Sequence, residues 1–65
     1  MTQEQKVKLV EEMIDCLKIS KQATEKGLLD KAEKWTSKCY SMERTLKILG
    51  YEVKIDEENC IVQIK

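Results

Sequence analysis

The chain has 65 residues, 42% of them hydrophobic and 37% charged, with two glycines, no proline and no histidine, which describes one small domain near the lower size limit for independent folding. Twelve basic and twelve acidic side chains cancel, and that balance argues against both the basic surface of an ordinary nucleic-acid binder and the acidic surface of a polyanion mimic. No apolar run approaches a membrane span or a signal-peptide core, so the expectation is a single cytoplasmic domain over residues 1–65 with no membrane partner.

Thr2 followed three residues later by Gln5 fits a capping box, and nothing breaks a helix until Gly27, so the pattern predicts a first helix over about residues 3–26. Asp30 with Glu33 offers a second capping box. The helix that follows is predicted over about 29–49, where Gly50 stops it. Leu28, Ala32, Trp35, Cys39, Met42, Leu46 and Leu49 are spaced alternately by four and three, a seam that Leu9, Met13, Cys16, Ser20, Ala23 and Gly27 match on the first helix. Laid antiparallel, the two rows set Ala23 against Ala32, Ser20 against Trp35 and Cys16 against Cys39, so the largest side chain faces a serine.

Val7, Val10, Ile14 and Leu17 form a further row on the first helix, making its apolar face wider than one partner helix can cover. The remaining chain alternates between apolar and polar residues on either side of Glu57-Glu58-Asn59, which predicts a β-hairpin over about 51–65. A four-residue loop at Asp56–Asn59 pairs Ile55 with Cys60, Val53 with Val62 and Tyr51 with Ile64, all on one face that can cover the extra row. The expected fold class is α+β, an antiparallel helical hairpin followed by a C-terminal β-hairpin (ααββ). Two edge strands with little protection and an over-wide helix argue for a homodimer, with either the strands continuing into a shared sheet or the first helix meeting its own copy. Val7, Val10, Ile14, Leu17, Ile19, Tyr40 and Ile61 are the candidate residues for a dimer or partner surface, with Tyr40 away from the seam and Ile61 on the outer face of the strands.

Catalytic chemistry is thinly represented. Cys16, Cys39 and Cys60 are an odd number without CxxC spacing, so neither a zinc site nor a disulfide framework is indicated, and all three read as small buried hydrophobes. Without histidine there is no Cys-His or Ser-His pair. The carboxylates Glu11, Glu12, Asp15, Asp56, Glu57 and Glu58 lack a third ligand or a proton-tuning partner, and no cofactor, metal site or catalytic residue is assigned. Charge is unevenly spread, with −2 over residues 1–17, +4 over 18–47 and −2 over 48–65. On the second helix Lys31, Lys34 and Lys38, with Ser41 and Arg44 near them, form a flank whose charges and hydroxyls suit a phosphate-bearing ligand.

The stretch from Ala23 through Gly27 to Ala32 resembles the turn of a tetratricopeptide-type helical pair, where small residues let two helices approach closely. A single unit followed by strands departs from that family's stacked array, so its peptide-binding groove does not carry over. In size and Lys/Glu/Ile-rich style the chain also resembles small accessory proteins of bacteriophages and mobile elements, inhibitors of host defence among them. That resemblance implies a protein that works by occupying another molecule's surface. The leading expectation is therefore a non-catalytic interaction protein with an unknown protein partner. A nucleotide-binding or other phosphate-binding protein is the alternative, and a nucleic-acid-binding regulator the second alternative.

Overall fold

The computed structural model describes all 65 residues. Helix α1 (Gln3–Glu25) and helix α2 (Leu29–Ile48) precede strands β1 (Val53–Asp56) and β2 (Ile61–Ile64), which is the ααββ order expected. The start of α1 is the capping box: Gln5 N donates to Thr2 Oγ1 at 3.2 Å while Thr2 N donates to Gln5 Oε1 at 2.9 Å. Both helices end in one way. Leu28 N bonds the Ala23 carbonyl and Gly27 N that of Thr24; Tyr51 N bonds the Leu46 carbonyl and Gly50 N that of Lys47. These are paired Schellman closures, and they require the left-handed backbone that Gly27 (φ 76) and Gly50 (φ 94) supply. A Cβ at either glycine would meet open space, so backbone conformation, and not crowding, selects glycine.

Because Leu28 closes α1 and at once accepts from Ala32 N at 3.0 Å, it is also the N-cap of α2. The Asp30–Glu33 capping box does not form: Asp30 lies inside the first turn, where its charge still faces the positive end of the helix.

The core gathers Met13, Cys16, Leu17, Cys39, Leu46, Val53 and Val62. Ser20 is the one buried polar residue, and its single hydroxyl proton goes to the Ala32 carbonyl at 3.0 Å. Thr36 Oγ1, 2.6 Å from Ser20 Oγ, is then the donor to it. The residue bonded to Ser20 across the helix pair is thus Thr36. Trp35, expected in the core opposite Ser20, is only half-buried, with the Lys38 ammonium 4.2 Å from its ring centroid.

The strand register differs from expectation by two residues. Val53 lies opposite Ile64 and Ile55 opposite Val62, and Glu52 and Lys65 exchange backbone bonds beyond them. The loop is Glu57–Cys60, so Cys60 is not in a strand and Tyr51 is not paired with Ile64. Two local features hold this register. The Asp56 carboxylate accepts from both Asn59 N (3.3 Å) and Asn59 Nδ2 (2.9 Å), and Cys60 takes a left-handed φ of 53 before the chain returns. A slip of two leaves every side chain on its original face, so Val53, Ile55, Val62 and Ile64 still point at the helices.

In the packed layers α1 meets β2 and α2 meets β1, with no cross-pairing. The hairpin buries Leu17 and half-buries Val10 and Ile14, but the expected cover stops short of Val7, which is 46% exposed. Only 10 of 65 residues are buried, and the chain exposes 4840 Å². A folded monomer of this mass exposes about 4,300 Å². The molecule is elongated, 37 × 18 × 16 Å, and no helix is long and apolar enough to cross a membrane.

Candidate functional site

Displaced proton affinities follow from the packing. Burial pushes the Cys39 thiol up to about 11 and raises Cys16, which the Lys38 charge partly opposes. Both cysteines are therefore protonated and unreactive at neutral pH. Hydrogen bonds from Asn59 hold the Asp56 carboxyl below its usual value. The Tyr40 hydroxyl donates to Glu57 Oε1 at 2.6 Å, and that bond pushes the phenol up to about 12. The cysteine shifts reflect burial in the core, and those of Asp56 and Tyr40 reflect hydrogen bonds at the hairpin loop. No three His, Cys, Asp or Glu side chains converge, and no buried side-chain polar atom lacks a partner.

Where the hairpin ends, the helices continue toward their turn, and the seam changes character. Leu17 gives way to Ser20, Thr24 and Thr36, and these with Lys21, Glu57 and Glu58 line an open groove of about 600 Å³. Lys21 Nζ donates to the Glu58 carbonyl at 3.2 Å, fixing the loop over it. Its hydroxyls are already engaged: Ser20 and Thr36 with each other, and Thr24 with the Ser20 carbonyl. The groove is a polar seal at the edge of the core.

The opposite side of the helical layer has no cover. Stepping 100° per residue, Ile19 on α1 and Trp35 and Met42 on α2 fall on the side turned away from the sheet, and all three are half-buried. Lys31, Lys34 and Lys38 border the α2 rim and are exposed. This is an apolar strip with a tryptophan at its middle and a basic edge on α2.

The five residues of the expected anion flank do not gather. Lys31, Lys34, Lys38 and Ser41 follow one rim of α2, whereas Arg44 lines a separate shallow depression with Tyr40, Glu43, Lys47 and Ile48. Lys47 there pairs with Glu43 at 3.3 Å. Among the expected surface residues, Leu17 belongs to the core, Val10 and Ile14 sit half under the sheet, and Val7 and Ile61 stay exposed. Tyr40, expected as an exposed contact, is exposed and also bonds Glu57, bridging α2 and the hairpin loop. Ile48, 79% exposed, and Leu49, which the seam spacing places inward but which is exposed, form an apolar tip. Comparison with models of known protein families, with curated sequences and with solved structures finds no match to this chain.

Proposed function

We propose that the protein is a non-catalytic interaction module that binds a protein partner through the uncovered side of its helical layer. The observation that carries this reading is the partly exposed Trp35, which with Met42 packs against the core from a side, shared with Ile19, that no other element of the chain covers. Tryptophan in such a setting is the residue type that most often anchors a protein interface. The basic rim of Lys31, Lys34 and Lys38 favours a partner with acidic residues around an apolar centre. The small size and the resemblance to phage accessory proteins agree with a role as an inhibitor that acts by occupancy.

A photo-crosslinking residue at position 31, one helical turn from Trp35, tests this in the cell of origin, with position 33 as a control rotated to the other side of α2. The expected result is a discrete protein adduct from position 31 that is absent from 33 and lost with Trp35→Glu, whose folding is checked by circular dichroism. Equal adducts from both positions would overturn the reading.

Lys38 resting on the Trp35 ring supports a second reading, because a cation beside an aromatic plane supplies the charge and stacking that hold a nucleotide. Under it, a thermal shift with nucleotides appears and is abolished by Lys34→Glu with Lys38→Glu. Nucleic-acid binding predicts retardation of DNA or RNA at low salt that falls steeply as salt rises.

A further inference from the structure

The two sheet edges are unequal. Bonding between Glu52 and Lys65 fixes the alternation of the ladder, so the amides and carbonyls of Val62, which is buried, and Ile64, which is half-buried, point away from β1 along the free edge of β2. β1 carries Lys54 and Asp56 within its span, the usual protection of an edge. β2 reads Ile61-Val62-Gln63-Ile64, with no charge, no proline and no bulge. Because α1 packs on β2 alone, this bare edge lies beneath the outer flank of α1. Burial falls along that flank from Leu17, which is buried, through Ile14, half-buried, to Val7, exposed. Backbone groups without a strand partner and an apolar helix flank therefore occupy the same side of the molecule.

We propose that a second copy of this chain docks there about a two-fold axis. β2 pairs antiparallel with its own copy around Gln63, so that Val62 and Ile64 of each chain bond Ile64 and Val62 of the other, completing a four-stranded sheet. α1 then runs antiparallel to the partner's α1 with Ile14 near the axis. That crossing sets Glu11 of each copy against the partner's Lys18, two opposite-charge pairs generated by one symmetric contact. The area agrees. The chain exposes 4840 Å², roughly 500 Å² more than a compact monomer of its mass. Covering that excess on both copies gives about 1,000 Å², the lower bound of a specific interface. The two Trp35 faces remain uncovered in the pair and lie on one side of a continuous four-helix layer, so the dimer presents the proposed partner site twice.

Light scattering after size exclusion, across a concentration series, reads the outcome directly. The expected species has about 15 kDa, twice the 7.6 kDa of the chain. Gln63 is exposed and its substitution leaves the hairpin's internal bonds intact, so Gln63→Lys is expected to fold with unchanged helix content. Like charges then face each other at the axis, and dimer dissociation should strengthen about tenfold or more. Glu11→Lys and Lys18→Glu each weaken the dimer, and the two together restore it. In the concentrated protein the Val62 and Ile64 amides exchange with solvent more slowly than in the dilute one. A monomer at every concentration overturns the proposal. So does a dimer that survives Gln63→Lys but dissociates with Trp35→Glu, which would make the helical face the self-contact. Neither result depends on the crosslinking outcome at position 31.

Discussion

The two sides of the helical layer are drawn from the same pair of helices, and only one of them has a roof. Under the hairpin, Met13 and Leu17 are buried against Val53 and Val62. On the far side, Trp35, with far more apolar surface, touches the same core but stays partly exposed. Burial here follows the presence of a second layer and not the side chain's own hydrophobicity. Where the roof ends, Leu17 is succeeded along the groove by the hydroxyls of Ser20, Thr24 and Thr36. On the open side no such change occurs: Ile19, Trp35 and Met42 persist without cover. A local mismatch of this kind is expected where a surface serves binding.

The largest test of the contrast is a pair of truncations. Met13→Ala removes a fully buried side chain and is expected to cost about 3 kcal/mol, within the range for large-to-small changes in a close-packed core. Trp35→Ala deletes more atoms but should cost roughly half as much, because part of the ring is already in water. Urea denaturation of both variants at one concentration settles the order. A greater loss for Trp35→Ala would mean that its face is covered in solution.

Next in size is the polar seal. Ser20→Ala leaves the Ala32 carbonyl without its side-chain donor and Thr36 without an acceptor in a largely buried site, an expected loss of about 1 to 2 kcal/mol. If the groove is a seal, Thr36→Val in the Ser20→Ala background costs little more, since both partners are then gone. An additive loss would show that Thr36 has a role apart from Ser20.

Much of this arrangement was legible from local signals. The Thr2–Gln5 box, the two terminating glycines and the inward set Val53, Ile55, Val62 and Ile64 are each decided by residues within a few positions of one another. The strand register was not, because the hydrophobic pattern is blind to a slip of two, and the decision fell to Asp56 gripping Asn59 and to the left-handed Cys60. The Asp30–Glu33 box failed for a related reason. The closure of α1 already fixes Leu28, and α2 begins there before Asp30 can cap it. Trp35 sits on the seam by spacing, yet Thr36 is the residue that bonds Ser20, since a hydroxyl pairing outweighed the size match of tryptophan with serine. The Tyr40–Glu57 bond leaves no periodic signal, because the two residues are 17 positions apart.

The two glycines sharpen the contrast at a smaller scale. Alanine at Gly27 or Gly50 meets no steric obstacle but must hold a left-handed backbone, costing about 1 to 2 kcal/mol at either site. Gly27 shapes only the helical turn, whereas Gly50 launches the roof. Equal losses in global stability are therefore expected, with faster amide exchange in β1 and β2 for Gly50→Ala alone. Faster strand exchange in Gly27→Ala as well would show that the helical turn also holds the roof.

Tyr40 gives the smallest effect and the clearest sign. Its hydroxyl donates to Glu57 at the rim of the covered side, and only the protonated phenol can make that bond. The folded state raises the phenol from 10.0 to about 12. The bond's contribution is therefore whole below pH 10, where the unfolded chain also keeps the proton. Between pH 10 and 12 the unfolded phenol ionises first and the contribution is lost. The group is exposed and solvent screens the pair, so Tyr40→Phe should cost under about 1 kcal/mol at neutral pH. The variant's stability should fall less steeply than the parent's above pH 10. Parallel pH profiles for the two proteins would show that the Tyr40–Glu57 bond does not form in solution, leaving Lys21 as the side chain that ties the loop to the helices.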